Sequence, residues 1–221
     1  MTTASESETA RVEAIYDRIA PEWDKRQGCA ERILIGGSMR AALADALRGD
    51  VLEIAAGTGV TLRNIANNQA ITSYTGIDLS NGMLAQARQA TVGLPFPVHL
   101  RRMDATRLDF PDASFDCVTV SLSLCTVPDP AATLCEMARV CRPDGRIVLL
   151  EHVLSPNRFV AWWQHRLAPA QHRMLGCHLD RQTDRLVRDL GFRVEREQTR
   201  LFGIFHLIVA RPPGEKRGNR K

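Results

Sequence analysis

Apolar positions along this 221-residue chain change repeatedly between short continuous runs and a helical spacing. Short apolar runs are typical of buried strands, and apolar residues three or four positions apart are typical of helices. The predicted strands cover residues 50–55, 72–77, 97–103, 116–122 and 146–152, and the helices between them cover 59–67, 81–90 and 130–141. This alternation predicts a parallel sheet wrapped by helices.

The flanking parts of the chain also have helical spacing, at residues 9–19, 30–47 and 157–190. Pro21 separates the first two segments, and Pro169 and Gly176 are expected to break the third. Two further strands are predicted at 192–199 and 203–211, close enough to pair as an antiparallel hairpin. The predicted fold class is therefore α/β: a Rossmann-like sheet of seven strands, mostly parallel, with helices on both faces.

The first predicted strand leads into a Gly-x-Gly turn, Gly57-Thr58-Gly59, with Glu53 just before it. Glycines let a backbone approach a ligand where a Cβ would collide. Asp78 ends the next strand, 19 residues after Gly59 (78 − 59). A carboxylate there can accept hydrogen bonds from two ribose hydroxyls, which predicts an adenosine-containing cofactor. The alternative is a glycine turn in an ordinary α/β protein.

The turn lacks two features of other nucleotide sites. The position of the third glycine of a dinucleotide fingerprint is Leu62, and the lysine of a P-loop is absent. The carboxylate of Glu53 would repel a pyrophosphate but would suit the ammonium group of S-adenosylmethionine. Charge therefore favours S-adenosylmethionine over a dinucleotide.

Composition is that of a globular chain, with 44% apolar and 24% charged residues. The net charge of +4 comes mainly from residues 212–221, which hold four basic residues and one acidic residue. We expect this tail to be disordered and expect no nucleic-acid partner. No apolar run predicts a transmembrane span or a signal peptide, and the six cysteines show no paired spacing. A cytoplasmic location is expected, and the oligomeric state is not predicted.

Glu53, the glycine turn and Asp78 resemble the first motifs of the class I S-adenosylmethionine-dependent methyltransferases. The resemblance covers roughly positions 11–211 of the chain. Besides the glycine turn and Asp78, Met103-Asp104-Ala105 resembles the adenine pocket of that family. Residues 110–116 and 140–146 resemble the segments before its fourth and fifth strands, with Asp144 in place of a glycine. The cofactor-binding residues that the resemblance implies are Tyr16, Trp23, Glu53, Ala55, Gly57, Thr58, Gly59, Asp78, Leu79, Met83, Asp104, Ala105, Ser121 and Leu122.

The expected organisation is an N-terminal helical lid at 1–48 and a methyltransferase domain at 49–211, with a helical acceptor-site insertion at 153–190. Residues 16–24 resemble the lid of quinone-pathway methyltransferases, with Trp23 replacing a tyrosine. Aromatic faces can attract a sulfonium. The alternative is that Tyr16 and Trp23 anchor the helix to the core.

A narrower resemblance, to alkyl-thiol methyltransferases and bacterial phosphatidylethanolamine N-methyltransferases, rests on residues 121–127, 151–153 and 163–183. It implies acceptor contacts from Cys125, Trp163 and His165. His152 is a candidate general base or orienting group, or else a structural histidine. Three other histidines, with Cys177, lack paired metal-ligand spacing, so no metal site is predicted.

The predicted function is methylation of a small molecule, with a thiol or amine acceptor of a specialised or detoxification pathway favoured. Methylation of a phospholipid amine or of a quinone ring carbon is the alternative among enzymes. An alternative from another class is a non-catalytic regulator that binds S-adenosylmethionine. Residues 158–200 hold nine arginines and five acidic residues. This basic segment leaves weak association with a membrane surface open, although a solvated helical face is the usual explanation.

Overall fold

The computed structural model describes residues 3–25 and 33–214, with the side chains of 3–5 left out. The helices are α1 (Thr3–Ile19), α2 (Gly36–Ala46), α3 (Val60–Ile65), α4 (Asn81–Ala87), α5 (Pro130–Val140), α6 (Arg158–Leu175) and α7 (Thr183–Asp189), with 3-10 helices at Ala20–Glu22 and Arg88–Thr91. The strands are β1 (Gly49–Ile54), β2 (Ile71–Asp78), β3 (Val98–Arg102), β4 (Phe115–Ser121), β5 (Cys141–His152), β6 (Arg193–Arg200) and β7 (Phe205–Arg211).

The seven strands form one sheet in the order β3-β2-β1-β4-β5-β7-β6. Strands β1 to β5 run parallel to one another, and β7 runs antiparallel to both β5 and β6. Ile54 at the end of β1 lies between Ile77 of β2 and Val120 of β4, so these three strands end side by side. The predicted sheet with its C-terminal hairpin is confirmed.

The central strands are apolar on both faces, as expected for a parallel sheet covered on two sides. Leu52 and Ile54 pack on one side with residues of α5 and α7. Val51 packs on the other side with residues of α2 and α3. These two clusters explain why the strands read as continuous apolar runs rather than as alternating patterns.

Helix α6 differs from its prediction, because it continues through Pro169 and ends at Gly176. The expected break at Pro169 is wrong. Proline has no N–H to donate to the carbonyl of His165, four residues earlier. Both residues are exposed, so water can hydrogen-bond that carbonyl instead. Gly176 ends the helix in the left-handed conformation, with a φ of 68°.

Some predictions fall partly outside the described residues. These are the start of the helix predicted over 30–47 and the part of the predicted tail at 212–221 that follows residue 214. One of the six cysteines, Cys29, also lies outside the described residues. Within the described ranges, no helix is both long enough and apolar enough to cross a membrane.

Candidate cofactor and acceptor site

A cavity with about 1030 Å³ of empty space lies at the carboxyl ends of β1, β2 and β4. Ligands of open parallel sheets bind at this edge. All of the implied cofactor residues except Gly59 line the cavity. The structure therefore brings together residues from five separate stretches of the chain, although their roles in binding stay predictions.

The two glycines of the turn differ in what surrounds them. A Cβ on Gly57 would have no neighbouring atom within 4 Å, so its backbone is open to approach. A Cβ on Gly59 would lie 3.1 Å from Cβ of Ala90 and 3.2 Å from Cα of Ala87. Both glycines have positive φ angles, 56° and 78°. Gly59 thus permits close packing behind the turn rather than contact with the cavity.

Asp78 is held by the backbone on both of its carboxylate oxygens. Oδ2 accepts a hydrogen bond from the N–H of Gly57 and Oδ1 accepts one from the N–H of Ser80, each at 2.9 Å. A carboxylate oxygen can accept two hydrogen bonds, so each retains capacity for a ribose hydroxyl. Burial raises the pKa of this carboxyl to about 6. Ribose hydroxyls that donate to this carboxylate would favour its ionised form.

Glu53 is a buried acid in the wall of the same cavity. It accepts hydrogen bonds from the hydroxyls of Thr61 and Tyr74. Burial raises its pKa to about 7, against these two hydrogen bonds. Because this pKa already reflects the nearby Arg40 guanidinium, the carboxyl takes up a proton near neutral pH when no ammonium group is bound.

The sequence analysis missed Arg40, a buried residue of α2 that also lines the cavity. Its Nη1 donates a hydrogen bond to Oγ of Ser121 at 2.5 Å. Together, Arg40 and Glu53 present one positive and one negative group to the cavity. This pair matches an amino acid zwitterion, which is the charge pattern of the methionyl end of S-adenosylmethionine.

Replacing Glu53 with glutamine is expected to remove most of the pH dependence of cofactor binding, leaving the smaller part due to Asp78, whose pKa is about 6. An ammonium group binds the ionised carboxyl, so affinity in the unmodified protein should fall about eightfold between about pH 7.5 and pH 6 as Glu53 becomes protonated. Calorimetric titration of both proteins across this range tests the expectation. A Glu53→Gln protein that loses affinity equally steeply would show that another group titrates.

The same substitution should stabilise the ligand-free protein at alkaline pH. The pKa of Glu53 is raised on folding, so its stabilising contribution is present below its unfolded value and is lost as pH rises through about 7. Glu53→Gln should accordingly melt at a higher temperature than the unmodified protein at pH 8, with the difference smaller at pH 5. If the two proteins differed in melting temperature by the same amount at pH 5 and pH 8, the raised pKa would not belong to Glu53.

Asp104, the predicted adenine contact, follows β3 and lies in the cavity wall. Its Oδ1 accepts hydrogen bonds from the N–H and the hydroxyl of Thr106, both at 2.8 Å. These bonds fix the carboxylate, and Oδ2 remains for a donor such as an exocyclic amine. The adenine contact stays a prediction.

The N-terminal segment covers one side of the cavity. Tyr16 and Trp23 line it, and their ring centroids are 5.4 Å apart. Asp17 accepts hydrogen bonds from Oγ of Ser80 at 2.6 Å and from the N–H of Gly82 at 2.8 Å.

A second polar contact joins the end of this segment to the glycine turn. Asp24 accepts a hydrogen bond from the Thr58 hydroxyl at 2.5 Å and pairs with Arg63 at 2.8 Å. The segment is therefore attached at two points of the site, and its role as a lid stays a prediction.

The predicted acceptor residues do not line the cavity, and α6 shows why. The buried residues of α6 are Gln164 and Ala168, and Gln164 makes three hydrogen bonds with the backbone of Val153, Ser155 and Leu179. The neighbouring Trp163 and His165 point away and are exposed. Their role in acceptor binding stays a prediction that the cavity geometry does not support.

His152 and Cys125, the other two predicted acceptor-side residues, lie behind the cavity wall with Cys177. Nε2 of His152 is 3.2 Å from Sγ of Cys177. The hydrogen bond from the Cys125 thiol, with a further contribution from His152, lowers the pKa of Cys177 despite burial. The role of His152 as a general base stays a prediction, and its imidazole contacts Cys177 instead of facing the cavity.

Comparison with known proteins places this geometry in context. Residues 52–149 match the family described as "Methyltransferase domain". The chain is 39% identical over 151 residues to a phosphatidylethanolamine N-methyltransferase of Cereibacter sphaeroides, a match that covers 67% of this chain and 72% of that protein. It is 42% identical over 135 residues to a demethylmenaquinone methyltransferase of Mycobacterium sp. (strain JLS), covering 61% of this chain and 55% of that protein.

The fold also resembles solved structures of low sequence identity. One is a possible histamine N-methyltransferase from Thermotoga maritima, with a TM-score of 0.66, 20% identity, and coverage of 90% of this chain and 99% of that one. Another is a putative methyltransferase from Bacillus halodurans, with a TM-score of 0.68, 20% identity, and coverage of 80% and 100%. At this identity the likeness concerns the fold alone.

Proposed function

Because this chain belongs to the class I S-adenosylmethionine-dependent methyltransferases, we propose that it methylates the amine headgroup of a phospholipid at a membrane surface. The sequence favours a thiol or an amine acceptor. The observation that carries the choice of a lipid amine is the exposed face of α6.

Helix α6 exposes a set of large apolar side chains. The exposed fractions are 70% for Phe159, 52% for Trp162, 48% for Trp163 and 52% for Leu167. Isolated exposed apolar residues are ordinary, but a group on one helix marks an interaction surface. Phe202, in the turn between β6 and β7, is also exposed, and its carbonyl accepts a hydrogen bond from Ser155 just before α6. The turn therefore places a further exposed aromatic residue near the start of α6.

The charges on α6 fit an anionic lipid surface. The helix contains three exposed arginines, Arg158, Arg166 and Arg173, and no aspartate or glutamate. Arg166 lies 5.8 Å from the ring centroid of Trp162. A helix that combines tryptophan, phenylalanine and leucine with arginine is suited to lie in the interfacial region of a bilayer. The hydrogen bonds of the buried Gln164 fix the orientation of α6, so that its apolar and basic side chains face outward.

The orientation of α6 connects this surface with the cavity. Arg11 of α1 contacts His172 near the end of α6, and Gly176 packs against Val12. Val12 and Tyr16 of α1 line the cavity. A helix resting on lipid would therefore hold α1, one wall of the site, close to the source of the acceptor. The relative from Cereibacter sphaeroides, a phosphatidylethanolamine N-methyltransferase, supports the same acceptor class.

An amine acceptor agrees with the chemistry of the cavity. Bound S-adenosylmethionine would supply an electrophilic methyl group. The headgroup ammonium would first lose a proton to solvent, and its lone pair would then form the N–C bond as the S–C bond breaks and S-adenosylhomocysteine leaves. Because solvent can take the proton, no dedicated base is required. Asp78 and Glu53, with Arg40, would hold the cofactor, while Tyr16 and Trp23 would exclude water and favour a cationic centre. The remaining wall, including Thr126 and Val127, is available to the acceptor.

Replacing Trp162 and Trp163 together with alanine tests the proposal. Methyl transfer to phosphatidylethanolamine in vesicles that contain anionic lipid should lose about tenfold or more in apparent kcat/KM, since each tryptophan would contribute apolar burial at the interface. Cofactor affinity should stay within about threefold. Vesicle co-sedimentation should fall in parallel and should weaken with added salt.

Val92→Ser is the matched control, because Val92 is a strongly exposed apolar residue outside α6. This variant should behave like the unmodified protein. If the unmodified protein and Val92→Ser methylate a soluble thiol or a quinone but leave the vesicle lipid unchanged, the lipid-amine proposal is wrong. If the tryptophan variant methylates vesicle lipid normally, α6 does not contribute to it.

A further inference from the structure

We propose that Cys125, His152 and Cys177 form a binding site for a single soft or borderline metal ion of the zinc class. The three residues come from three different segments: the loop after β4, the end of β5 and the residue after the cap of α6. One ligand atom from each lies within 4.8 Å of the other two. This inference is independent of the identity of the methyl acceptor.

The distances suit a metal with little rearrangement. Tetrahedral zinc, bound to sulfur at about 2.3 Å and to nitrogen at about 2.0 Å, places its ligand atoms about 3.5–3.8 Å apart. Nε2 of His152 and Sγ of Cys177 are already 3.2 Å apart. The third ligand needs to move by no more than about 1 Å to complete such a triangle.

The surroundings fix the cluster in place. The N–H of His178 donates to the carbonyl of Cys125 at 2.9 Å, which joins the two cysteine segments next to the sulfurs. Arg181 donates to the carbonyls of Leu124 and Val127 on the same loop. Cys125 and Cys177 are only 2% and 7% exposed. A site assembled in advance loses little conformational entropy when it binds an ion.

Polar groups in this region are left without partners. Within the described ranges, Nδ1 of His152 and Oε2 of Glu151 are buried and accept or donate no hydrogen bond. An imidazole retains one lone pair in either neutral tautomer, so His152 can serve as a ligand. With the ring proton on Nδ1, the lone pair on Nε2 is available beside Sγ of Cys177.

The charge balance favours a divalent cation. Two thiolates carry a charge of −2, and the nearby Arg181 and Glu151 offset each other when both are ionised. A divalent ion would bring this buried group to neutrality, with the thiol protons released to solvent. Two cysteines and one histidine form a known zinc ligand set in which the fourth position remains open. Copper(I) and cadmium share the preference for thiolates.

The site would also affect the cavity. Cys125 lies in the loop whose next residues, Thr126 and Val127, line the cavity. A metal that joins this loop to β5 and to the segment after α6 would order the acceptor wall, without touching the cofactor.

Titration of the reduced, metal-free full-length protein with Co²⁺ tests the proposal. One equivalent should bind and produce thiolate-to-cobalt charge-transfer absorption and the visible bands of tetrahedral cobalt. Zn²⁺ should displace it and raise the melting temperature. Cys125→Ser, Cys177→Ser and His152→Ala should each weaken binding by about a hundredfold or more.

Two other cysteine variants serve as controls. Cys141→Ser removes a buried cysteine and Cys135→Ser an exposed one, both outside the cluster, and both should bind cobalt as the unmodified protein does. Because a cluster variant could unfold, its circular dichroism and melting curve are recorded without metal. Folded Cys177→Ser protein that gives the unmodified spectrum would overturn the proposal. So would an unmodified protein with no saturable binding, or with an oxidised Cys125–Cys177 pair after purification under reducing conditions.

Discussion

Replacing Asp78 with alanine is expected to weaken the binding of S-adenosylmethionine by about tenfold to a hundredfold. A hydrogen bond to a charged acceptor contributes about 1.5–3 kcal/mol, and the carboxylate can accept from two ribose hydroxyls. The substitution would also remove the hydrogen bonds that Asp78 accepts from the N–H groups of Gly57 and Ser80, which hold the glycine turn in place. Calorimetry with S-adenosylmethionine and S-adenosylhomocysteine measures the effect.

Asp109→Ala is the appropriate control. Asp109 is exposed and forms an ion pair with Arg101 at 3.2 Å, away from the cavity lining. Its replacement should leave the affinity unchanged. A folded Asp78→Ala protein whose affinity falls by less than twofold would refute the ribose assignment.

Removal of residues 1–24 is expected to lower methyl transfer by about a hundredfold or more. The deletion takes away Tyr16 and Trp23 from the cavity wall, and a site that must align two reactants and exclude water is sensitive to such a loss. The domain itself should still fold, because neither hydrophobic cluster of the sheet contains a residue from 3–25. Thermal melting followed by circular dichroism should therefore remain cooperative.

Two point variants make this test sharper. Asp17→Ala and Asp24→Ala each remove one of the contacts that attach the segment to the site. Each substitution should lower activity by less than the deletion does. The double variant should lower activity by more than either substitution alone. Normal turnover by the truncated protein would show that the segment is not a lid.

Much of the fold could be predicted because local patterns determine it. The strands of a covered parallel sheet are continuous apolar runs, and the glycine turn and Asp78 lie at fixed positions relative to two of them. Those residues indicated the cofactor because their chemistry and spacing are both encoded locally. The end of α6 at Gly176 was predictable for the same reason.

Features that depend on tertiary packing could not be predicted. Arg40 carries no motif, and only the docking of α2 on the sheet brings it into the cavity. Trp163 and His165 were chosen for their chemistry, but Gln164 between them is the residue that faces inward. Pro169 is compatible with α6 because it is exposed, which the sequence alone does not state.

The cluster of Cys125, His152 and Cys177 is a further example. Adjacent members are separated by 27 residues (152 − 125) and 25 residues (177 − 152). No ligand-spacing rule connects positions so far apart, so the sequence suggested Cys177 only together with other histidines. The topology of the sheet brings the three segments together.

The central claim is that this methyltransferase acts on a phospholipid amine, and product analysis tests it most directly. The full-length protein is incubated with isotopically labelled S-adenosylmethionine, phosphatidylethanolamine vesicles containing anionic lipid, a soluble alkyl thiol and a quinone precursor. Mass spectrometry then locates the label. The account predicts labelled N-methylated phosphatidylethanolamine as the main product, whereas label found in the thiol or the quinone, with the lipid unmodified, would contradict it.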